Sequence, residues 1–134
     1  MTTASSSAVW TFDDFRPGSV LGRLSIVLDA QRIANWTGIY GSPATPERLP
    51  SGMLVAAMME AYLRAIHPRP PGNIHASQRL KFTGAVNPGD ELRAEVACVA
   101  KELRRERRWV TFGVTLHSGS EDVLSGEISA IWAK

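Results

Sequence analysis

One mid-chain segment, running from Pro50 to Ile66, constrains the fold of this 134-residue chain more than any other. Its only strongly polar side chains, Glu60 and Arg64, are spaced i, i+4, so they share one narrow stripe and suit an ion pair. A helix that is apolar on its other sides is buried. Because a membrane span needs about 20 apolar residues, the segment predicts a central core helix, with Ser51 as its N-cap.

Runs in which apolar residues alternate with polar ones lie on both sides of this segment. They cover residues 21–28 before it and residues 74–83, 92–100, 110–117 and 124–132 after it. Short turn sequences separate the last four, which is typical of antiparallel neighbours. The order predicts an α+β fold in which a curved antiparallel sheet wraps around one long central helix.

A second, shorter helix is predicted before the central one, over residues 30–37. Asp29 is suited to be its N-cap, and Gly38 is a plausible C-terminal stop. We interpret Cys98 as a core residue of a strand and not as a nucleophile. We expect the edge strands and outer apolar residues such as Trp132 to need cover from a second subunit.

Composition limits the class of protein. A hydrophobic content of 44% supports a real core, and a net charge of +2 does not by itself indicate nucleic acid binding. The single cysteine excludes an internal disulfide, and the first residues lack the pattern of a signal peptide. We therefore expect a cytoplasmic protein that binds neither nucleic acid nor membrane, with a flexible tail over residues 1–11 and one domain over residues 12–134. The three histidines lack metal-ligand spacing, so we expect no metal and no cofactor.

Four short segments carry a family resemblance. They are Phe12 to Gly18, the pair Thr37-Gly38, the run Leu49 to Met53, and Lys81-Phe82 with the later Pro88-Gly89-Asp90. Together they resemble the MaoC-like hydratase/dehydratase family, whose members have the hot-dog fold. The resemblance implies an acyl-CoA or acyl-carrier thioester as substrate, and a homo-oligomer, at least a dimer.

The catalytic pattern of that family is only partly present. Its Asp and His lie in the stretch Gly-Asp-x-Asn-Pro-x-His, which matches residues 38–44. Ile39 stands at the Asp position, and no His occurs between residues 38 and 66. Ser51 stands where the family has a His at the start of the central helix, whereas the following glycine, Gly52, is retained.

The resemblance still suggests roles for the residues that remain. The Gly52 N–H would polarise a thioester carbonyl, Met53 beside it would contact the substrate, and Tyr40 or Glu47 would handle the proton, with Ser51 as a further catalytic candidate. The alternatives are that Gly52 only permits close helix packing and that Tyr40 and Glu47 are ordinary surface residues.

Two other functions remain open at this point. Ser51-Gly52 followed by Glu60 also resembles the central helix of hot-dog thioesterases, in which a carboxylate acts as general base or nucleophile. An ion pair with Arg64 is the structural alternative for Glu60. The missing Asp and His equally suggest a non-catalytic subunit that binds an acyl group or supports an active partner.

The one basic cluster consists of Arg104, Arg105, Arg107 and Arg108, with Lys101 nearby. Glu102 and Glu106 interrupt it. We interpret the arginines as candidates for binding the phosphates of coenzyme A or an acidic acyl carrier protein. A solvated hairpin end is the structural alternative.

Overall fold

A computed structural model describes residues 8–42 and 48–134. Its two helices and five strands are β1 Val20–Val27, α1 Ala30–Tyr40, α2 Ser51–Ala65, β2 Ile74–Phe82, β3 Glu91–Arg104, β4 Arg107–Ser118 and β5 Glu121–Trp132. All neighbouring strands are antiparallel, in the order β1-β3-β4-β5-β2.

The long helix α2 lies against the inner face of this sheet and packs on β1, β3 and β4. Its buried side chains are Met53, Leu54, Ala57, Met58, Ala61 and Tyr62. The curved sheet with one buried helix is the α+β hot-dog architecture that the sequence predicts. The apolar pattern of residues 50–66 therefore has the expected cause, namely contact with strands on several sides.

The strand patterns of the second half are confirmed by burial. Val110, Phe112, Val114 and Leu116 of β4 are fully buried, as are the matching positions of β5. The Cys98 side chain is buried on β3, and desolvation raises the pKa of its thiol above the ordinary value. This supports the prediction that Cys98 is a core residue.

The expectation for Trp132 was wrong, because this residue is not an outer one. Its ring is buried and meets the Phe15 ring edge-on at a centroid distance of 5.0 Å. The Trp132 indole N–H donates to the Trp10 carbonyl at 2.7 Å, and the Trp10 ring stacks on Phe15. The Trp10 N–H also donates to the Pro68 carbonyl at 3.1 Å, so contacts with the domain begin before residue 12. Residues 1–7 lie outside the described residues.

The short helix α1 begins as predicted but ends later. Asp29 is its N-cap, and the Asp29 carboxylate accepts a hydrogen bond from the Arg32 backbone N–H at 2.9 Å. The helix continues through Gly38 to Tyr40 and ends at Gly41, whose φ of 84° is readily adopted by glycine. Gly38 did not act as the stop, since one glycine inside a helix costs only about 1 kcal/mol relative to alanine.

The start of α2 also differs from the prediction by one residue. Pro50 is the N-cap, and Ser51 is the first helical residue. No side chain of the described residues caps this helix. The extended backbone of Pro50 (φ −61°, ψ 144°) leads directly into the first turn, so a serine cap is not used.

Strand β2 is a sheet edge and is more exposed than its alternating pattern suggests. A bulge between His75 and Ser77 interrupts its pairing with β5. Ile74 and Phe82 are exposed, and only Leu80 among its apolar residues packs partly against the core. An edge strand has covering neighbours on one side only, so alternation alone did not predict its exposure.

Two searches of the described ranges gave no candidates. No helix in residues 8–42 and 48–134 is both long and apolar enough to cross a membrane. In the same ranges, no three His, Cys, Asp or Glu side chains are grouped as metal ligands would be.

Candidate functional site

A cavity of about 240 Å³ opens to solvent between α1 and the first turns of α2. It is lined by Arg32, Asn35, Trp36, Ile39, Met53 and Ala56. The walls are therefore mainly apolar, with two polar side chains from one helix. Such a lining suits a mostly apolar ligand that carries a few polar atoms.

The α1 side of the cavity comes from a single helix face. Arg32, Asn35, Trp36 and Ile39 follow one another at i, i+3, i+4 and i+7, which places them on the same side of a helix. In the sequence, the i, i+3 spacing of Ile33 and Trp36 predicts an apolar face for this helix, but the helix is predicted to end at residue 37. The same spacing, extended to residue 39, was the signal that would have found the cavity wall.

Gly52 and Trp36 account for the close approach of the two helices. A Cβ atom placed on Gly52 would lie 2.6 Å from Cη2 and 2.9 Å from Cζ2 of the Trp36 indole. Real Cβ atoms do not come this close to a neighbour, so any larger residue at position 52 would displace the indole. The packing role that we left open for Gly52 is therefore real, and Trp36 is its partner.

The first turn of α2 presents backbone donors near the cavity. The Met53 N–H is bonded to the Pro50 carbonyl at 3.0 Å, whereas the N–H groups of Ser51 and Gly52 have no acceptor among the described residues. The first N–H groups of a helix lack partners within it, and the helix dipole makes this end electropositive. The turn is thus able to stabilise a negatively polarised oxygen.

Ile39 places an apolar side chain in the cavity where the family pattern has an acid. Its side chain is 74% exposed and lies at the position that matches the Asp of the family pattern. Neither a carboxylate nor an imidazole lines the cavity within the described residues. The proposed proton carrier Glu47 lies outside the described residues.

The other proposed site residues fall close to the cavity or away from it. Tyr40 stands at the end of α1, largely exposed, with its ring 4.2 Å from the Trp36 ring centroid. Met53 is buried but contributes to the cavity wall, and Ser51 is exposed on the first turn. The structure thus brings Tyr40, Ser51, Gly52 and Met53 together around Trp36.

Glu60 is held by two arginines. Its carboxylate accepts from Arg32 at 2.7 Å and from Arg64 at 3.1 Å. The hydrogen bond from Arg32 lowers the pKa of the Glu60 carboxyl below its ordinary value, partial burial opposes this shift, and Arg64 adds to it. The pair with Arg64 was expected from the i, i+4 spacing, whereas the pair with Arg32 joins two helices and was not.

The basic cluster lies at the opposite end of α2. Arg108 pairs with Trp132 across the sheet, and the Trp132 ring lies 5.5 Å from Arg69, which bonds the carbonyls at the C-terminus of α2. The helix has 15 residues, so its two ends are about 22 Å apart. Within one chain, the cluster is therefore not part of the α1–α2 cavity.

The cluster forms a tight hairpin tip between β3 and β4. Arg105 and Glu106 form the turn with φ values of 53° and 66°. The Arg104 guanidinium lies 4.5 Å from the centroid of the Trp109 ring and 3.6 Å from Glu102. In the described part of the chain, the other three arginines of the tip form no ion pair.

Comparison with protein families agrees with this architecture. The model of the MaoC-like domain matches residues 43–119, which is more than half of the chain. The chain belongs to the MaoC-like domain family. No curated protein sequence matches it.

Solved structures show the same fold over nearly the whole chain. A MaoC-like dehydratase from Rhodospirillum rubrum has a TM-score of 0.76 at 18% identity and covers 93% of this chain and 98% of its own. The (R)-hydratase from A. caviae has a TM-score of 0.67 at 25% identity, with 87% and 96% covered. A variant of the fluoroacetyl-CoA-specific thioesterase FlK, with fluoroacetate and CoA, has a TM-score of 0.67 at 22% identity, with 87% and 94% covered.

Proposed function

We propose that this protein binds an acyl-CoA or acyl-carrier thioester with the acyl group in the α1–α2 cavity, and acts on it by hydration or dehydration through a site that differs from the family pattern. The observation that carries the proposal is the position of the cavity. The cavity lies between α1 and the start of α2. Ile39 of α1 stands at the position of the family's catalytic Asp, and Gly52 of α2 is the glycine that is retained.

The thioester carbonyl would face the first turn of α2. The N–H groups of Ser51 and Gly52, which have no acceptor among residues 8–42 and 48–134, and the positive end of the helix dipole would stabilise the charge that develops on its oxygen. The proton would be handled by Tyr40 or by the Ser51 hydroxyl, which lie at the end of α1 and on the first turn of α2, or by Glu47, which the sequence places in the loop between these helices. No metal and no cofactor is needed for this proposal.

A turnover screen on enoyl-CoA and saturated acyl-CoA thioesters tests this function. Loss of the conjugated enoyl absorbance without release of free thiol is expected. Tyr40→Phe, Ser51→Ala and Glu47→Gln would then identify the proton carrier. Tyr62→Phe is the matched control, because it removes the other phenol of the chain from a buried position on the far side of α2.

A non-catalytic acyl-binding or partner subunit is the second candidate. The apolar lining of the cavity, with Ile39 at the position of an acid, favours it. Binding of acyl-CoA without turnover of any thioester would support this candidate over the first. In that case, the double substitution Ile39→Asp with Ala44→His should introduce hydration, because it restores both members of the family pair.

A thioesterase based on Glu60 has less support. Two guanidinium groups occupy its carboxylate, so Glu60 would have to leave both ion pairs to act as base or nucleophile. Glu60→Gln should leave any release of thiol unchanged. A loss of thiol release of a hundredfold or more in a variant that remains folded would instead establish this mechanism.

The proposal includes a homodimer. Val55, Met59 and Leu63 form an apolar stripe on α2 at i, i+4 and i+8, and Leu63 is 50% exposed. Phe82 is exposed on the edge strand β2. A second copy of the chain would cover the stripe and the edge together.

The arginine tip is proposed as the contact for the phosphates of coenzyme A or for an acidic carrier protein. Within one chain the tip lies far from the cavity. This favours the carrier protein over the coenzyme A phosphates, because a protein partner can contact a surface outside the acyl site. Arg105→Glu with Arg107→Glu should weaken binding of an acyl carrier protein at low salt and leave binding of acyl-CoA unchanged. Arg16→Glu, an exposed charge outside the tip, is the control.

A further inference from the structure

Trp36 lines the cavity at the point where α1 meets the first turn of α2. A Cβ on Gly52 would come within 2.6 Å of Cη2 at the edge of its indole. The indole also meets the Tyr40 ring, at a centroid distance of 4.2 Å. The side chain is half-buried and packs against the core, so both helices constrain its position.

We propose that Trp36 is the residue that limits the length of the acyl group, and that the protein selects short acyl thioesters. The inference rests on the proposed function, since it concerns the same cavity. It adds the substrate class, which neither the family match nor the retained glycine indicates.

The cavity volume supports the size limit. A group the size of a water molecule takes about 30 Å³, so a cavity of about 240 Å³ accommodates roughly eight such groups. The carbonyl carbon, oxygen and sulfur of the thioester take three of them, which leaves room for roughly five further carbons, or about six acyl carbons in total. Ligand sites for larger molecules start at about 300 Å³, so this cavity lies below that range.

The chemistry of the walls supports an apolar chain. Ile39, Met53 and Ala56 are apolar, and the Arg32 guanidinium is engaged by Glu60. The side-chain amide of Gln31 donates to the Asn35 side-chain oxygen at 2.9 Å. The Arg32 guanidinium and the Asn35 oxygen therefore have protein partners, and an apolar chain leaves both contacts intact.

Binding of a graded series of ligands tests the inference. The probes are S-(2-oxoalkyl)-CoA analogues with acyl parts of two to ten carbons, which keep a carbonyl and cannot be hydrolysed. Calorimetric titration of the wild-type protein should show affinity rising about fourfold with each methylene and then ceasing to rise at about six acyl carbons. In Trp36→Leu and Trp36→Ala the rise should continue for at least two further carbons.

Trp109→Ala is the matched control, because Trp109 is also a half-buried tryptophan but lies at the hairpin tip. It should leave the length limit unchanged. Circular dichroism and thermal unfolding identify variants that fail to fold, and Trp36→Leu is the milder substitution if Trp36→Ala is among them.

The outcomes are distinct. If the wild-type protein binds the series and the limit stays at the same length in a folded Trp36 variant, the assignment of Trp36 is overturned while the proposed acyl site stands. If the wild-type protein binds no member of the series, the proposed function itself is overturned, and the inference with it. A limit that moves in the Trp36 variants alone supports both.

Discussion

At the scale of single residues, the role of the Glu60 carboxylate depends on the side chains that surround it. Its position on the central helix resembles that of a catalytic carboxylate, yet its oxygens meet Arg32 of α1 and Arg64 of α2. The three side chains join the two helices beside the cavity. Their charges are partly buried, so the pairs are screened less than fully exposed ones.

Glu60→Gln is expected to lower the free energy of unfolding by about 1 kcal/mol at pH 7, because it removes the charge that pairs with both arginines. Chemical denaturation of the two proteins measures this difference. Glu95→Gln, which disrupts the more exposed pair with Arg23, should change stability by less than about 0.5 kcal/mol. Equal effects of the two substitutions would contradict the role assigned to Glu60.

The same pair predicts the direction of a pH effect. The pKa of Glu60 is lower in the folded protein than its ordinary value, so its carboxylate contributes stability that is present above the unfolded-state pKa. This contribution is lost as pH falls through the folded-state pKa. The stability difference between wild type and Glu60→Gln should therefore shrink in acid. A difference that stays constant down to pH 3 would show that Glu60 does not titrate in this way.

At the scale of elements, α1 forms one wall of the cavity and determines its chemistry. The helix is three residues longer than the sequence indicates, and the added residues include Ile39 and Tyr40. Its Trp36 packs on Gly52, so α1 and the start of α2 form one packed unit. A change in either helix is therefore expected to alter the cavity.

The hairpin between β3 and β4 is an element whose turn is strained. Both central residues of the tip, Arg105 and Glu106, have positive φ, the geometry in which Asn-Gly is preferred. Arg105→Asn with Glu106→Gly is expected to raise the free energy of unfolding by about 0.5–1 kcal/mol, because it relieves this strain. Denaturant titration measures it.

The double substitution Arg107→Asn with Arg108→Gly serves as the control for the turn, because it places the same residues on β4 and should destabilise. No gain in stability from the turn substitution would mean that contacts of Arg105 and Glu106 offset the backbone strain. Reduced binding of a carrier protein by the stabilised variant would further support the tip as a docking surface.

At the scale of the whole molecule, exposed apolar residues include Leu63 on α2 and Phe82 on the edge strand β2. A monomer would leave both side chains in water, and within the described sheet it would leave the outer edge of β2 without a pairing strand. Such a surface favours association.

We expect the wild-type protein to elute at twice the monomer mass or more, and Leu63→Glu to shift it to the monomer. Size-exclusion chromatography with light scattering measures both masses. Leu103→Glu is the matched control, since Leu103 is equally apolar and more exposed but lies at the hairpin tip. A wild-type monomer, or a dimer that persists in a folded Leu63→Glu variant, would contradict this surface as the interface.

Much of the fold of this protein could be predicted from its sequence, because the strongest sequence patterns are periodic and local. The apolar run of residues 50–66 determined the buried helix, and the alternation in β4 and β5 determined which side chains form the core. The motifs around Gly52 and Asp90 determined the family. The turn Asn87 to Asp90 is closed by its own backbone and side-chain hydrogen bonds, so it needs no distant partner.

Only the tertiary structure decided which residues meet across elements. The contacts of Trp36 with Gly52 and of Arg32 with Glu60 join residues that are 16 and 28 positions apart. No periodic pattern in the sequence indicates either contact. The burial of Trp132 under Trp10 depends on a contact between the two ends of the chain. Periodicity reports which face of an element is apolar, whereas the packing of elements against one another selects the partner, and that selection forms the cavity.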